Sequence, residues 1–376
     1  MSWSTDNFRD ILKEYERLYN QTDNDKDRDK LLDYICNMKY EIAIEELTKF
    51  EREKLDNKDE SSNINNVLTD EDELNLDKTT CFGELTHDIY DMSKYINIYP
   101  YIEEFKTKLK NLLKYDSYKF REPGKLKLSK NDIFELIHDL FKSTTKEIYN
   151  KYLELEKEKD SIVELDASID TNDGSSYYFP IVNKRFISVG TKGDSEELLS
   201  TLAHEFGHSI GSMYNGDRYV NGDFFLEIES QFFELIANDY FANKINKNYY
   251  EGLSKEILYD YYSNAKGFIA NRDILDEVFN KLNTVDNPYE YYTFLVDNNT
   301  DYKTIDIPEK TKYLFGYIVA LELFEIYKDD KELAIELLKN IICKDDNRTE
   351  LSRITNNIDI NSRIEKHVKR LRLERN

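Results

Sequence analysis

Two histidines four residues apart, with a glutamate directly after the first, carry the strongest chemical signal in the chain. The stretch is Thr201-Leu202-Ala203-His204-Glu205-Phe206-Gly207-His208-Ser209. On a helix, positions i and i+4 stand one above the other, so both imidazoles can reach one metal ion. Glu205 sits about 100° further round the helix, close enough to meet a water on that ion without ligating it. Neutral imidazoles and a carboxylate, with one position left open, make a catalytic zinc site, so one Zn2+ is the expected cofactor. The chain holds five histidines, at 87, 138, 204, 208 and 367. With so few, a chance H-E-x-x-H has a probability on the order of one in a hundred. The plain alternative is a helix with two surface or core histidines.

A site of this kind needs a third protein ligand, which a second helix usually brings. The run Gly211-Ser212-Met213-Tyr214-Asn215-Gly216-Asp217 is rich in turn formers and is expected to end the first helix. Asp223 can then cap a new helix running from Phe224 through Glu234. Glu227 stands 19 residues after His208, room for a turn and an antiparallel return. Ser230, Gln231 and Glu234 follow it at i+3, i+4 and i+7, a polar face on a helix otherwise rich in phenylalanine. Glu227 is therefore the expected third ligand, with Glu234 orienting a ligand histidine. Glu229 is the rival for the ligand role, and a solvated acidic face is the plain alternative.

The elements that must position these groups can be read from hydrophobic period. From about residue 161 the pattern alternates, and 161–170, 177–182 and 186–190 read as short strands. A small sheet beside the histidine helix offers an edge to an extended peptide backbone. Asp194 or Ser195 is placed to cap that helix. Helical period marks 7–20, 28–55 and 100–115, and one long helix is expected from Asn131 to Tyr152, beyond a turn at Glu122-Pro123-Gly124. His138 beside that helix's apolar stripe reads as a core or boundary histidine, and His87 as structural. Past the ligand helices, 254–264, 270–284 and 287–296 read as helical. A helix carrying Tyr313 and Tyr317 to about Tyr327 follows, then another over 330–342. Gly316, between the tyrosines, would let a backbone or a substrate approach closely. The expected fold is mainly α with a small β-sheet beside the site helix. The expected division is an N-terminal helical region, 1–160, with an acidic loop at about 56–79, and a catalytic region, 161–376.

Composition narrows the partners. A net charge of −23 repels nucleic acid and anionic membrane alike, so neither is an expected partner. The N-terminus has neither a basic segment nor an apolar run, and no stretch of 18 apolar residues occurs, so no signal peptide or membrane span is expected. Cys36, Cys81 and Cys343 are odd in number and widely spaced, which suits reduced thiols and a cytoplasmic location. The basic end, from Lys366, is expected to pair with the acidic body. Oligomeric state is not legible.

The histidine motif, followed by Glu227-Ile228-Glu229-Ser230-Gln231-Phe232-Phe233-Glu234, resembles the core of the oligoendopeptidase F and thimet oligopeptidase family of zinc metallopeptidases. In that family the first glutamate of an E-x-x-S-x-x-x-E pattern completes the metal site, and Glu227 holds that place. Phe186-Ile187-Ser188-Val189-Gly190-Thr191 resembles the strand and turn bordering the family's cleft. Tyr313-Leu314-Phe315-Gly316-Tyr317 resembles its Y-x-F-G-Y segment, whose tyrosines face the substrate, and Asn357-Ile358-Asp359-Ile360 resembles its closing G-x-D-x pattern. The resemblance covers roughly 165–376. Family members are typically longer, which implies a shortened N-terminal half. Some carry a histidine shortly before the paired tyrosines, where this chain has Ile307-Pro308-Glu309-Lys310.

The resemblance implies a helical zincin-type metallopeptidase: a zinc-dependent endopeptidase acting on oligopeptides. His204, His208 and Glu227 would hold the ion, and Glu205 would be the general base toward water. Tyr317, assisted by Tyr313, would donate hydrogen bonds to the oxyanion. Two other readings fit the same residues: a specialised protein-directed zinc protease, toxin- or immunity-like, and a non-hydrolytic metal-containing binding protein.

Overall fold

The computed structural model describes residues 5–22, 98–110, 120–166, 173–179, 183–215, 226–273, 302–343 and 350–371, with single positions between 28 and 42 and Asp276. The acidic stretch 56–79, His87, Asp223 and the segment 287–296 lie outside them. The chain forms two compact units, Met1–His87 with Leu282–Asn299, and Asp88–Lys281 with Thr300–Asn376. In the first, helix α1 (Thr5–Gln21) buries Phe8, Ile11 and Tyr15, spaced three and four apart as one face of a helix requires. Tyr15 packs on Tyr34 with ring centroids 5.3 Å apart.

The second unit holds every candidate site residue. It is mostly helical around one three-stranded sheet, the fold class expected from the hydrophobic pattern. Its elements in order are α2 (Tyr99–Lys110), α3 (Lys130–Lys142), α4 (Lys146–Lys157), the short α5 (Lys159–Ile162), β1 (Val163–Asp166), β2 (Gly174–Phe179) and β3 (Lys184–Gly190). Then come α6 (Ser195–Asn215), α7 (Glu227–Lys244), α8 (Lys247–Ala270), α9 (Tyr302–Asp329), α10 (Lys331–Ile342), α11 (Glu350–Asn357) and α12 (Ile364–Arg370). In the sheet β3 is central, parallel to β1 and antiparallel to β2. Residue β3-Ile187 pairs with Val163 on one side and Ser176 on the other.

Helices α6 and α7 form the centre, packed on each other; β2 lies against α6, and α8 and α9 lie against α7. Both central helices are buried over most of their circumference, polar residues included: Ser200, Glu205 and Ser209 on α6, and Glu229, Ser230, Gln231 and Asn238 on α7. Helix α6 buries Leu198, Leu199, Leu202, Ala203, Phe206 and Ile210, and α7 buries Ile228, Phe232, Phe233, Ile236 and Phe241. Aromatic rings from the preceding helices seal their outer side. Phe141 stacks on Tyr152 at 4.5 Å, and both meet Phe206 edge-on.

Two local expectations are corrected. The long helix from Asn131 to Tyr152 is two helices, because Thr145 caps α4 by accepting from Ile148 N, while Ser143 and Thr144 hydroxyls bond back to the carbonyls of Leu140 and Phe141. The histidine helix runs to Asn215, inside the stretch 211–217 expected to end it, with the Ser212 hydroxyl bonded to the Ser209 carbonyl at 2.7 Å. Glu122-Pro123-Gly124 is no tight turn but an irregular strap across the start of α6. Gly124 N donates to Asp194 and Lys125 N to Glu196, so Gly124 serves close approach: a Cβ there would lie 2.6 Å from both acids. The basic end does pair with the body. Arg370 and His367 contact the fully buried Glu325 of α9, and Lys366 reaches Asp329.

Helix α7 is gripped between two glycines. A Cβ on Gly207 would lie 2.8 Å from Ser230 Cα, and one on Gly316 would lie 2.9 Å from Glu227 Cβ. Gly267, by contrast, has nothing within 4 Å. Gly207→Ala should therefore lower unfolding free energy by about 1–3 kcal/mol through overpacking, while Gly267→Ala should raise it by roughly 0.5–1 kcal/mol. Denaturant unfolding of the two variants against wild type measures both signs.

Candidate metal centre

The site grows from the contact of α6 with α7. His204 and His208 project from one face of α6, their ring centroids 5.0 Å apart and nearly perpendicular. Gly207, one residue before His208, lets the backbone of α7 come close, so Glu227 at the start of α7 meets both rings. Glu227 Oε2 lies 3.4 Å from His204 Nε2 and 3.5 Å from His208 Nε2. The Ser230 hydroxyl holds the same Oε2 at 3.0 Å. Ligating atoms of these three residues all lie within 4.8 Å of one another, and among the described residues no other such group occurs. Glu229, the rival, is fully buried two residues on and is not in the group.

These separations fit a metal better than a hydrogen bond. Donors about 2.0–2.1 Å from a tetrahedral zinc ion stand about 3.3–3.4 Å apart, close to the 3.4 and 3.5 Å between Glu227 Oε2 and the two ring nitrogens. A direct N–H···O bond would draw the atoms to about 2.7–3.2 Å. Beside the rings, Glu234 Oε2 lies 3.2 Å from His204 Nδ1. That contact places a proton on Nδ1 and turns the Nε2 lone pair toward Glu227 and His208. Two imidazoles and one carboxylate are also the donor types zinc prefers.

Electrostatics follow from enclosure. Burial opposes protonation of His204, but hydrogen bonds to Glu227 and Glu234 outweigh it and raise its pKa well above that of a free imidazole. Burial likewise opposes the charge on Glu227, yet His208 and His204 hold its carboxyl well below the usual range. Glu205 goes the other way. It is 4% exposed, burial pushes its pKa up, and its Oε2 has no hydrogen-bond partner among the described residues. Directly against it runs β2, where a Cβ on Gly174 would lie 2.6 Å from Glu205 Oε1.

Tyr313 and Tyr317 stand on α9, which packs on α7 at Gly316. The close neighbour that Gly316 admits is thus the Glu227 turn of α7. Tyr317 is 2% exposed, and its hydroxyl has no partner among the described residues. It stacks at 4.2 Å on Tyr261 of α8, whose hydroxyl accepts from Gln231 Nε2 at 2.7 Å. The same amide nitrogen donates to the Tyr313 carbonyl at 3.0 Å. Sequence reasoning passed over Tyr261 and Gly174. Tyr261 is one of 29 tyrosines, and its position on a tyrosine-rich helix carries no local signal.

No protein-family model matches the sequence, and no curated protein matches it. Among solved structures, the chain is similar to a protein described as an oligoendopeptidase F from Bacillus anthracis strain Ames, at 14% identity and a TM-score of 0.42. The alignment covers 93% of this chain and 63% of that one. A Pz peptidase A solved with an inhibitor aligns at 13% identity and a TM-score of 0.40, over 96% of this chain and 66% of that one. A further structure described as an oligoendopeptidase F aligns at 12% identity and 0.43, with coverage of 96% and 66%. The chain thus spans a little under two thirds of these proteins' length. No described helix is long and apolar enough to cross a membrane.

Zinc binding should displace the His204 proton, so affinity should rise with pH through and above the ordinary imidazole range. Calorimetric titration with Zn2+ at about pH 6 and about pH 8, in buffers of different ionisation enthalpy, should show tighter binding at the higher pH and net proton release at the lower. His208→Ala or Glu227→Ala should abolish stoichiometric binding.

Proposed function

We propose that this chain is a zinc-dependent endopeptidase that hydrolyses peptide bonds in oligopeptides. The observation that carries the reading is the gathering of two imidazoles and a carboxylate within 4.8 Å of one another beside a buried glutamate on the same helix turn, whose Oε2 has no partner among the described residues. His204, His208 and Glu227 would hold the ion, with Glu234 fixing the tautomer of His204. When bound, zinc supplies Lewis acidity, which makes a water nucleophilic near neutral pH and polarises the scissile carbonyl.

The chain's own groups do the rest. Glu205 takes the proton of the attacking water and passes it to the leaving amine. Its raised pKa suits both halves of that shuttle, because a carboxylate with no donor holding it accepts a proton more readily. Tyr317, assisted by Tyr313, donates to the carbonyl oxygen as it gains charge. A buried hydroxyl without a partner costs about 1–3 kcal/mol, so the bare hydroxyl of Tyr317 suits a position that substrate completes. Strand β2 is an edge of the described sheet, and Gly174 brings its backbone against Glu205. An extended peptide added to that edge would carry its carbonyls past the base.

Glu205→Gln tests the reading. The variant should bind zinc as wild type does and lose about 10²–10⁴-fold in kcat, measured on fluorogenic peptides with zinc content determined in parallel. Normal turnover by the variant would remove Glu205 as the base.

A further inference from the structure

We propose that Tyr261, on α8, is a further catalytic residue of the proposed peptidase, donating its phenolic proton to the substrate carbonyl oxygen in the transition state. The inference rests on the peptidase reading and adds a group that neither the histidine motif nor the paired tyrosines contain.

The argument starts from an amide whose orientation is determined. Gln231 Nε2 lies 3.0 Å from the Tyr313 carbonyl oxygen, which can only accept, so the nitrogen end of the amide must face it. That same nitrogen stands 2.7 Å from the Tyr261 hydroxyl. An amide nitrogen has no lone pair to accept with, so the Tyr261 oxygen is the acceptor, and its own proton must point elsewhere. Among the described residues no acceptor takes it. A phenol that is already polarised by an incoming N–H, and whose proton is uncommitted, is a strong donor to an added oxyanion.

Position supports the same role. Gln231 is one helical turn after Glu227 on α7, and a Cβ on Gly316 would touch both side chains, so the amide adjoins the candidate metal ligand. Tyr317 stacks on Tyr261, ring planes 18° apart, which fixes the plane of the phenol. Tyr261 is only partly buried as a residue, whereas Tyr317 is 2% exposed with its hydroxyl enclosed. Burial, and then the charges of Glu234 and Glu227, keep the phenol protonated at neutral pH.

Tyr261→Phe keeps the ring, the stack and the volume and removes only the hydroxyl. Zinc-loaded wild type, Tyr261→Phe and Tyr317→Phe should be compared on one fluorogenic peptide, with binding of a phosphinic peptide measured calorimetrically as the tetrahedral mimic. Zinc stoichiometry and Tm are controls for folding, with all assays run below the lowest Tm. For Tyr261→Phe, kcat should fall about 10²–10³-fold and phosphinate affinity should weaken by a comparable factor, with KM within about threefold. A Tyr261→Phe enzyme within about threefold of wild type in both kcat and phosphinate affinity overturns the inference while leaving the peptidase reading intact. A zinc-loaded wild type that neither cleaves peptides nor binds the phosphinate overturns both.

Discussion

The close approach of two buried helices at Gly207 is the constraint on which the site depends. With no side chain there, the backbone of α7 comes to within contact of α6, and the first turn of α7 faces the two imidazoles. A larger residue would lift α7 away by the thickness of a methyl group and open the donor triangle. On the far side of α7 the same economy operates at Gly316, which brings the tyrosine helix α9 against Glu227 and Gln231. Metal ligands, orienting carboxylate and tyrosines are thus indexed to one helix held from both sides, a rigid arrangement of the kind a preorganised site requires.

Buried acids in this chain fall into two groups, and the contrast is informative. Glu322 and Glu325 on α9 are fully enclosed but well supplied with donors: Arg363 N and the Ser362 hydroxyl for the first, His367 and Arg370 for the second. They fasten α12 to the body, and nothing about them is left open. Glu205 is almost as enclosed and has no donor at all on Oε2. Burying a carboxylate without compensation is costly, and among the described residues the fold meets that cost only at Glu205, beside the donor triangle. Glu227 lies between these cases, its charge balanced by two imidazoles and a serine hydroxyl.

Much of the architecture was legible because period and residue type agree. The strands over 163–190, the histidine helix, the helix through Tyr317 and that over 331–342 follow hydrophobic spacing closely. The candidate ligands were legible because i, i+4 spacing is a geometric statement in itself, and because Glu227 stands out on a phenylalanine-rich helix. The break at Thr145 was not, since it turns on whether a hydroxyl bonds forward as a cap or backward to a carbonyl. Tyr261 was illegible for another reason. Its role comes from an amide on one helix and a ring on another, and neither neighbour is near it in sequence.

X-ray absorption at the zinc edge of the loaded protein reads the central claim most directly, because it reports the atoms around the ion. The expected spectrum is that of two imidazole nitrogens and carboxylate or water oxygens at about 2.0–2.1 Å, with no stoichiometric zinc retained in His204→Ala. A shell of six oxygens, or one containing sulfur, would contradict a centre built from His204, His208 and Glu227.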